Sequence, residues 1–340
     1  MSIIEIDGSY HEGGGQIVRT AVGLSAITGK ACRIFNIRKG RCNPGLQAQH
    51  LKSIEACARI CDGKLKGSEV GSCEIEFHPG KIKGGRYSVE VGTAGSIPLV
   101  LQTIVLPAAY SGQEFVFDIT GGTDVHWSPN IGYFQHVFCD FMKKAGVDVF
   151  IETRKRGFYP KGGGEVNVKI GHSKIRSIDI TERGKLETVD VTSVATKDLQ
   201  KASVAERQTE GFDSVLKSDK KHIDYVDSLS TGSSVHAHAH YVNCKLGAAA
   251  LGERGKKAED VGKECAEELK VSMDSGACLD RHMADQILPY MAIACMKNDD
   301  VNRVLVEDIT GHVKTNIWVI EKFLPVKFGI EGNVVSCNKV

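Results

Sequence analysis

The sequence predicts an α/β (α+β) protein in which three repeated βαβαββ units pack together and a smaller α/β domain is inserted between the second and third units. Two observations support this prediction. Three segments, which begin at residues 13, 94 and 284, share one order of apolar helix, turn, alternating strand and polar loop. The third segment also follows the second at more than twice the distance that separates the first two.

The first unit opens with the strand-like IIEID, and its repeated segment is GGGQIVRTAVGLSAITGKACRIFNIRKG. A second helix follows in PGLQAQHLKSIEACARI, and we assign the two closing strands to CEIEFHPG and YSVEVGTAG. The second unit repeats this order with AGSIPLVLQTIVLPAAYSGQEFVFDITGG and the helix SPNIGYFQHVFCDFMKKAG. The third unit does so with ADQILPYMAIACMKNDDVNRVLVEDITGH and TNIWVIEKFLP.

Spacing between matched glutamines locates the inserted domain. Gln102 follows Gln16 by 86 residues, whereas Gln286 follows Gln102 by 184. The second spacing therefore exceeds the first by 98 residues. A surplus of this size indicates a separate domain, inserted at a loop where insertions are tolerated. We therefore predict a catalytic domain of three units at residues 1–182 and 278–340, and an inserted domain at residues 183–277.

Composition narrows the class of protein. Lys and Arg number 43, and Asp and Glu number 42. This balance excludes a protein that is basic over most of its surface and holds long nucleic acid through phosphate contacts alone. The N-terminus lacks the pattern of a secretory signal, and no apolar run has the length of a membrane span. Eleven cysteines are scattered without a CxxC pair. We therefore expect a cytoplasmic protein with reduced thiols.

Polar residues gather where the first strand gives way to the first helix, in YHEGGGQIVRT. Backbone N–H groups at a helix N-terminus form an anion site, and glycines allow a close approach to it. The carboxylate of Glu12 is able to hold a divalent ion over such an anion. The alternative is a flexible turn, which a lone GGG favours, and the spacing is not that of a Walker loop.

Two further segments are compatible with binding of a phosphate or a nucleotide. Arg38, Arg41 and Gln49 lie in NIRKGRCNPGLQAQH, where fixed guanidinium groups suit a phosphate and a solvated charge cluster is the alternative. Asp285 and Gln286 open the first helix of the third unit. There they can hydrogen-bond a ribose or a base, or Asp285 can simply cap the helix.

The run VHAHAHYV places His236, His238 and His240 on one face of a strand. Such a face can bind a metal ion, but the run contains no cysteine or carboxylate. We therefore interpret it as a solvent-facing strand.

We expect the starts of the three repeated segments, and the polar loops after their strands, to meet at one edge of the assembly. A cleft there would collect Glu12, Arg19, Arg38, Arg41, Gln102, the GGTDVHWSP loop and His312. Arginines, a carboxylate and one histidine suit phosphoryl or nucleotidyl transfer better than acyl transfer. No serine lies in a nucleophile elbow, and no cysteine has a histidine partner by motif.

One further motif, RGFYPKGGGEV, resembles the signature of the RNA 3′-terminal phosphate cyclase family. Matching segments occur in the family's order and spacing along nearly the whole chain, among them EGGGQIVRTAVGLSAITG, IRKGRCNPGL, AGSIPLVLQT, GGTD and ADQILPYMAIA. The fold that this resemblance implies, three βαβαββ units with a smaller inserted domain, is the one predicted from the repeats.

The resemblance implies an ATP-dependent enzyme in which His312 attacks the α-phosphate of ATP and forms a histidine–AMP phosphoramidate. The AMP then passes to an RNA 3′-phosphate. The neighbouring 2′-OH attacks the activated phosphorus, releases AMP and leaves a 2′,3′-cyclic phosphate. ATP and RNA 3′-phosphate ends are thus the implied partners.

The resemblance also implies roles for other residues. Glu12 matches the family's metal ligand and is expected to hold Mg²⁺ or Mn²⁺ against the ATP phosphates. Nucleotide binding is implied for Gln102, Pro129, His282, Met283, Ala284, Asp285 and Gln286. The phosphate and RNA-end site is implied for Arg19, Arg38, Arg41 and Gln49. The family commonly has tyrosine in place of His282, so we expect a different arrangement against the adenine there.

Two related classes of protein are alternatives. A relative in the same superfamily acts as a non-catalytic scaffold in ribosome assembly, and it lacks the histidine that His312 matches. Enolpyruvyl transferases share the repeated unit, but they have six repeats in two domains and lack the RGFYPKGGGEV and GHVKTN motifs. The presence of His312 together with Glu12 therefore favours the cyclase.

Overall fold

The computed structural model describes residues 3–297 and 300–340, which form four mixed four-stranded sheets and the helices that cover them. Three of these sheets share one strand order. The strands of the fourth come, in the sequence, between the first strand and the first helix of the third unit. Within these ranges, no helix has both the length and the apolar content needed to cross a membrane.

The first unit contains β1 (Ile4–Asp7), α1 (Gly15–Thr28), β2 (Cys32–Phe35), α2 (Ala48–Ile60), β3 (Lys64–Lys66) and β4 (Ile75–His78). The second contains β5 (Gly85–Glu90), α3 (Ile97–Tyr110), β6 (Phe115–Gly121), α4 (Ile131–Tyr133), α5 (Cys139–Lys144), β7 (Val149–Lys155) and β8 (Gly164–Ile170), with a π-helical turn at Phe134–Phe138. The third begins with β9 (Asp179–Ile180). The inserted elements are β10 (Leu186–Thr196), α6 (Val204–Asp213), β11 (Lys220–Val226), β12 (Ser233–Tyr241), β13 (Lys245–Leu251) and α7 (Ala258–Asp274). The third unit is completed by α8 (Met283–Lys297), β14 (Arg303–Leu305), α9 (Gly311–Phe323), β15 (Val326–Glu331) and β16 (Val334–Lys339).

Each unit builds the same sheet. Its first two strands are parallel, and its last two form an antiparallel hairpin whose final strand pairs with the second strand. The resulting orders are β1-β2-β4-β3, β5-β6-β8-β7 and β9-β14-β16-β15, whereas the inserted sheet has the order β11-β10-β12-β13. The predicted α/β fold of three βαβαββ units with an inserted α/β domain is confirmed.

Two details of the predicted units differ in the structure. The YSVEV stretch does not close the first sheet but belongs to β5, which pairs in parallel with β6 and opens the second sheet. The strand of the first unit that was not predicted from the sequence is β3, a KLK segment that is too short and too polar to show periodicity. In addition, β9 precedes the insertion, so the third unit is interrupted after its first strand. The limits of the inserted domain, residues 183–277, stay a prediction.

The helices of the three units share one core. α1 packs against α2, α3 and α9, and α8 packs against α3 and α9. Nearly all of α3 is buried, because it lies between the other helices and its own sheet, and its sequence is accordingly apolar on every side. This shared packing holds the first turns of the helices in fixed positions, and the candidate site is built from those turns.

The histidine-rich strand β12 is an inner strand of the fourth sheet, and the interpretation of a solvent-facing strand is wrong. His236 and His238 are buried, because their face of the strand packs on the second unit. The ring of His136, from the π-helical turn, stacks on both, with centroid distances of 5.6 Å and 4.9 Å. In the part of the chain that the structure describes, no group of three His, Cys, Asp or Glu side chains is arranged to hold a metal ion.

A buried carboxylate ties three parts of the molecule together. Asp280 accepts hydrogen bonds from Tyr133 Oη (2.7 Å) and from the backbone N–H groups of Gly247 (2.9 Å), His282 (3.0 Å) and Met283 (2.9 Å). These donors belong to the second unit, the inserted sheet and the start of the third unit's first helix. Burial raises the pKa of Asp280, and its hydrogen bonds oppose that rise by stabilising the ionised form.

We expect Asp280→Ala to lower the free energy of unfolding by about 3 kcal/mol, because four buried donors lose their acceptor at once. Asp274→Ala, which removes an exposed carboxylate at the end of α7, is the matched control and is expected to change it by less than about 0.5 kcal/mol. Urea unfolding followed by circular dichroism measures both. Equal stability of the two variants would show that the Asp280 network does not hold these elements together.

Candidate active site

A cleft of about 1190 Å³ opens where the three units and the inserted domain meet. Among the predicted site residues, its lining includes Glu12, Arg19, Arg38, Arg41, Gln49, Gln102, Pro129, His282, Asp285, Gln286 and His312. Met283 and Ala284 are fully buried in the first turn of α8 and do not line it. The structure therefore brings all but two of the predicted residues together.

Several helices of the described chain present their first turns to this cleft. The lining takes Gln16 from α1, Gln49 from α2, Leu99 from α3, Asp285 from α8 and His312 from α9. Backbone N–H groups without helical partners point outward at a helix N-terminus, where the helix dipole is positive. Together with the arginines, these helix ends make the cleft suited to phosphate groups.

His312 occupies the first turn of α9, where the Thr310 hydroxyl caps the helix by accepting a hydrogen bond from Val313 N (3.2 Å). Its two ring nitrogens have different partners. Nε2 lies 3.0 Å from Glu12 Oε2, and Nδ1 hydrogen-bonds to Gln16 Oε1. The imidazole is therefore oriented by two side chains of the first unit, although it belongs to the third.

The amide of Gln16 determines which ring nitrogen carries the proton. Its Nε2 donates to Asp285 Oδ2 at 2.5 Å, so its oxygen is the atom that faces His312. An amide oxygen only accepts, and Nδ1 of His312 must therefore be the donor. In the neutral imidazole this leaves the lone pair on Nε2, next to Glu12.

Glycine at two positions leaves room for these side chains. A Cβ at Gly311 would lie 2.2 Å from Glu12 Oε1, so any larger residue there would displace the carboxylate from His312. A Cβ at Gly15 would lie 2.1 Å from His50 Nε2. His50 in turn accepts a hydrogen bond from Gln47 N (3.2 Å) at the start of α2, so the first two helices are packed tightly where they border the cleft.

Burial and the arginines shift the pKa values of the titratable groups in the cleft. Burial lowers the pKa of His312; Glu12 opposes this shift, while Arg19 and Arg41 add to it. Burial raises the pKa of Asp285 to about 7, and Arg19 limits that rise. Burial, Arg19 and Arg38 lower the pKa of His50 to about 3. At neutral pH, His312 and His50 are therefore predominantly neutral.

His282 links the inserted domain to the cleft. Its Nε2 lies 2.8 Å from Glu268 Oε1 of α7, and its ring meets that of Tyr133 edge-on, with centroids 6.1 Å apart. Burial alone would lower the pKa of His282, but the carboxylates of Glu268 and Asp280 outweigh it and raise that pKa. At this end of the cleft, an imidazole is thus paired with a carboxylate that favours its protonated form.

Several contributors to the site were not predicted as such, and three of them contact other site residues directly. Gln16 lies in the polar segment YHEGGGQIVRT and aligns with Gln102 and Gln286, but no role in the site was predicted for it. Tyr133 lies in the helix that follows the GGTD loop, and Glu268 lies mid-helix in the inserted domain, where no local pattern distinguishes it from a solvated carboxylate.

Glu12 is the side chain that fits a divalent ion. Its side chain is 39% exposed and lies beside His312, and the structure, over the residues it describes, offers no group of three His, Cys, Asp or Glu ligands. Mg²⁺ is commonly held by one or two carboxylates and the phosphates of a substrate, rather than by an all-protein cage. A single carboxylate in a cleft suited to phosphate groups fits the first of these two kinds of site.

Residues 10–330 match the family described as RNA 3′-terminal phosphate cyclase. The chain belongs to this family. Three relatives carry the name RNA 3′-terminal phosphate cyclase. The Methanosarcina acetivorans protein is 41% identical over 97% of each chain. The Methanopyrus kandleri protein is 42% identical, and the Thermococcus kodakarensis protein 43%, each over 98% of this chain and 96% of the relative. The resemblance seen in the motifs is confirmed.

In this member of the cyclase family, we expect opposite shifts in the pKa of His312 from two substitutions. Glu12→Gln should lower it further, because the carboxylate raises it, and Arg41→Gln should raise it, because the guanidinium lowers it. NMR titration of the ring, without nucleotide and with EDTA, measures the shift. Glu331→Gln, an exposed carboxylate on β15, is the control. Shifts of the same sign for Glu12→Gln and Arg41→Gln would contradict this electrostatic account.

Proposed function

We propose that this protein converts an RNA 3′-terminal phosphate to a 2′,3′-cyclic phosphodiester at the expense of ATP, through a covalent histidine–AMP intermediate on His312. One observation carries the proposal: a histidine with its Nδ1 proton held by Gln16 and its Nε2 beside Glu12 lies in a cleft of arginines and helix N-termini. Membership in the cyclase family and the names of its relatives support it.

In the first step, the lone pair on His312 Nε2 attacks the α-phosphorus of ATP. A P–N bond forms, the bond to the bridging oxygen breaks, and pyrophosphate leaves. The lowered pKa of His312 supports this role, because the neutral ring is the nucleophile. Positive charge that develops on the ring is stabilised through Nδ1–H by Gln16, whose amide is itself held by Asp285.

In the second step, an oxygen of the RNA 3′-phosphate attacks the phosphorus of the AMP, and the P–N bond breaks. In the third, the neighbouring 2′-oxygen attacks the terminal RNA phosphorus, loses its proton, and displaces AMP. Arg38, Arg41 and Gln49 are the side chains that we propose to hold the terminal phosphate, with Arg19 deeper in the cleft. Splitting one difficult displacement into easier ones is the purpose of the covalent intermediate.

The nucleotide is proposed to lie along Gln102, Pro129, His282, Asp285 and Gln286, where the cleft is also lined by Leu99 and Tyr133. Met283 and Ala284 contribute by fixing the first turn of α8 from the core side. Glu12 would hold the Mg²⁺ or Mn²⁺ ion, which when bound supplies positive charge against the ATP phosphates. His282, paired with Glu268, would offer a flat imidazole ring to the adenine in place of the family's tyrosine.

Formation of a phosphodiester with cleavage of ATP places the proposed activity among ligases that act by nucleotidyl transfer in RNA processing. We propose that it takes place in the cytoplasm. The eleven cysteines support a reducing compartment, since each of them is a free thiol in the structure.

The first test is incubation with α-labelled ATP and a divalent metal, without RNA, followed by a denaturing gel. Wild type should retain an acid-labile, alkali-stable label, as expected for a phosphoramidate, and His312→Ala should retain none. His172→Ala, which removes an exposed histidine outside the cleft, is the control and should be labelled normally. A folded wild type without label would exclude the proposed activity and would favour the scaffold role in ribosome assembly.

A second test concerns the amide that orients the nucleophile. Gln16→Leu should slow labelling of His312 by about 10- to 100-fold, because the imidazole loses the partner that fixes its tautomer. Gln200→Leu, at an exposed position in the inserted domain, is the matched substitution and should label at the wild-type rate. Equal rates for the two variants would mean that Gln16 does not orient His312.

A further inference from the structure

Two large aromatic side chains stand in solvent at the rim of the cleft. Trp127 is 95% exposed and Tyr159 is 70% exposed, although aromatic residues of this size usually bury most of their surface. Both line the same cleft as Arg38, Arg41 and His312. The proposed reaction steps use neither of them.

The loops that carry the two aromatic residues are joined to each other at their base. Asp124 and Phe158 pair as a parallel bridge, and Asp124 N donates to Gly157 O at 3.3 Å. Trp127 follows this bridge by three residues and Tyr159 by one. The two rings therefore stand on one connected piece of backbone.

A buried charge fixes this piece of backbone to its surroundings. The carboxylate of Asp124 accepts hydrogen bonds from Ser234 Oγ of β12 (2.9 Å) and from Arg156 Nη1 (3.2 Å). A third hydrogen bond comes from Thr123 Oγ1 (2.7 Å), and breaking the ion pair with Arg156 would leave a buried carboxylate without its charged partner, which is strongly destabilising. Trp127 has a φ of 65°, which is rare for a bulky residue and requires support from the surrounding structure. The frame thus holds the loops in place before any ligand binds.

We propose that Trp127 and Tyr159 form a stacking platform for the RNA nucleotides that precede the terminal phosphate, an inference that rests on the proposed function. Aromatic faces beside fixed arginines bind single-stranded nucleic acid, because phosphates meet the guanidinium groups while bases stack on the rings. Every base has a flat face, so this platform accepts RNA ends of any sequence. Because the loops that carry the two rings are already held in place in the free protein, less conformational entropy is lost when RNA binds.

Exposure separates this platform from the nucleotide end of the cleft. Next to Gln102 and Pro129, the lining includes the buried side chains of Leu99 and Tyr133, which suit an enclosed base. Trp127 is almost fully exposed. It lies where an RNA strand whose 3′ end is bound in the cleft would pass out into solvent. The rings are therefore assigned to RNA and not to ATP.

The test compares cyclisation of a ten-nucleotide RNA 3′-phosphate and of uridine 3′-monophosphate. Trp127→Ala and Tyr159→Ala should each raise the KM for the ten-nucleotide RNA about tenfold and leave that for the mononucleotide near the wild-type value. Trp127→Phe should restore most of the binding, whereas Trp127→Leu should not, because only the former keeps an aromatic face. Phe150→Ala, an exposed aromatic on β7 outside the cleft, is the matched control.

If both alanine variants keep the wild-type KM for the ten-nucleotide RNA, the proposal of a stacking platform is wrong. A raised KM for ATP in RNA-independent labelling would also overturn it, because the rings would then belong to the nucleotide site. If wild type takes up no label from ATP, the proposed function fails, and fluorescence anisotropy of a labelled ten-nucleotide RNA 3′-phosphate decides the platform. The same variants should then bind about tenfold more weakly, and unchanged binding would overturn it.

Discussion

The direction in which each helix of the repeated unit starts determines where a site can form in this fold. A helix that leads from one parallel strand to the next begins at the carboxyl end of the first strand, so its first turn and the loop before it lie at that edge of the sheet. Because the three units pack through these helices, their first turns gather around one cleft. The placement of arginines, carboxylates and His312 follows from this geometry.

Within that cleft, Gln16 joins the two ends of the chain. It contacts Asp285, 269 residues away, and His312, 296 residues away. An amide suits this position because one of its ends only donates and the other only accepts, so the bond to Asp285 also determines the bond to His312. The chemical state of the candidate nucleophile therefore depends on how the first and third units pack, and not only on the residues near it in sequence.

The repeats made most of the fold predictable, because long apolar helices and alternating strands carry a strong periodic signal. β3 had no such signal, and the strand YSVEV was consequently assigned to the wrong sheet. The histidine face of β12 was read correctly as one face of a strand, but its burial depends on the second unit packing against it, which alternation alone does not reveal. For the site, motif positions predicted many of the residues that line the cleft, whereas the contribution of Glu268 depends on how the inserted domain docks.

The interruption of the third unit has a consequence for how the chain is made. β9 leaves the ribosome 124 residues ahead of its partner strand, a delay of about 6 to 25 seconds at ordinary rates of synthesis. During that time the inserted sheet can fold, since its strands pair only with one another. Glu12 is made long before His312, so a nascent or truncated chain that stops before α9 lacks the contact between these two side chains.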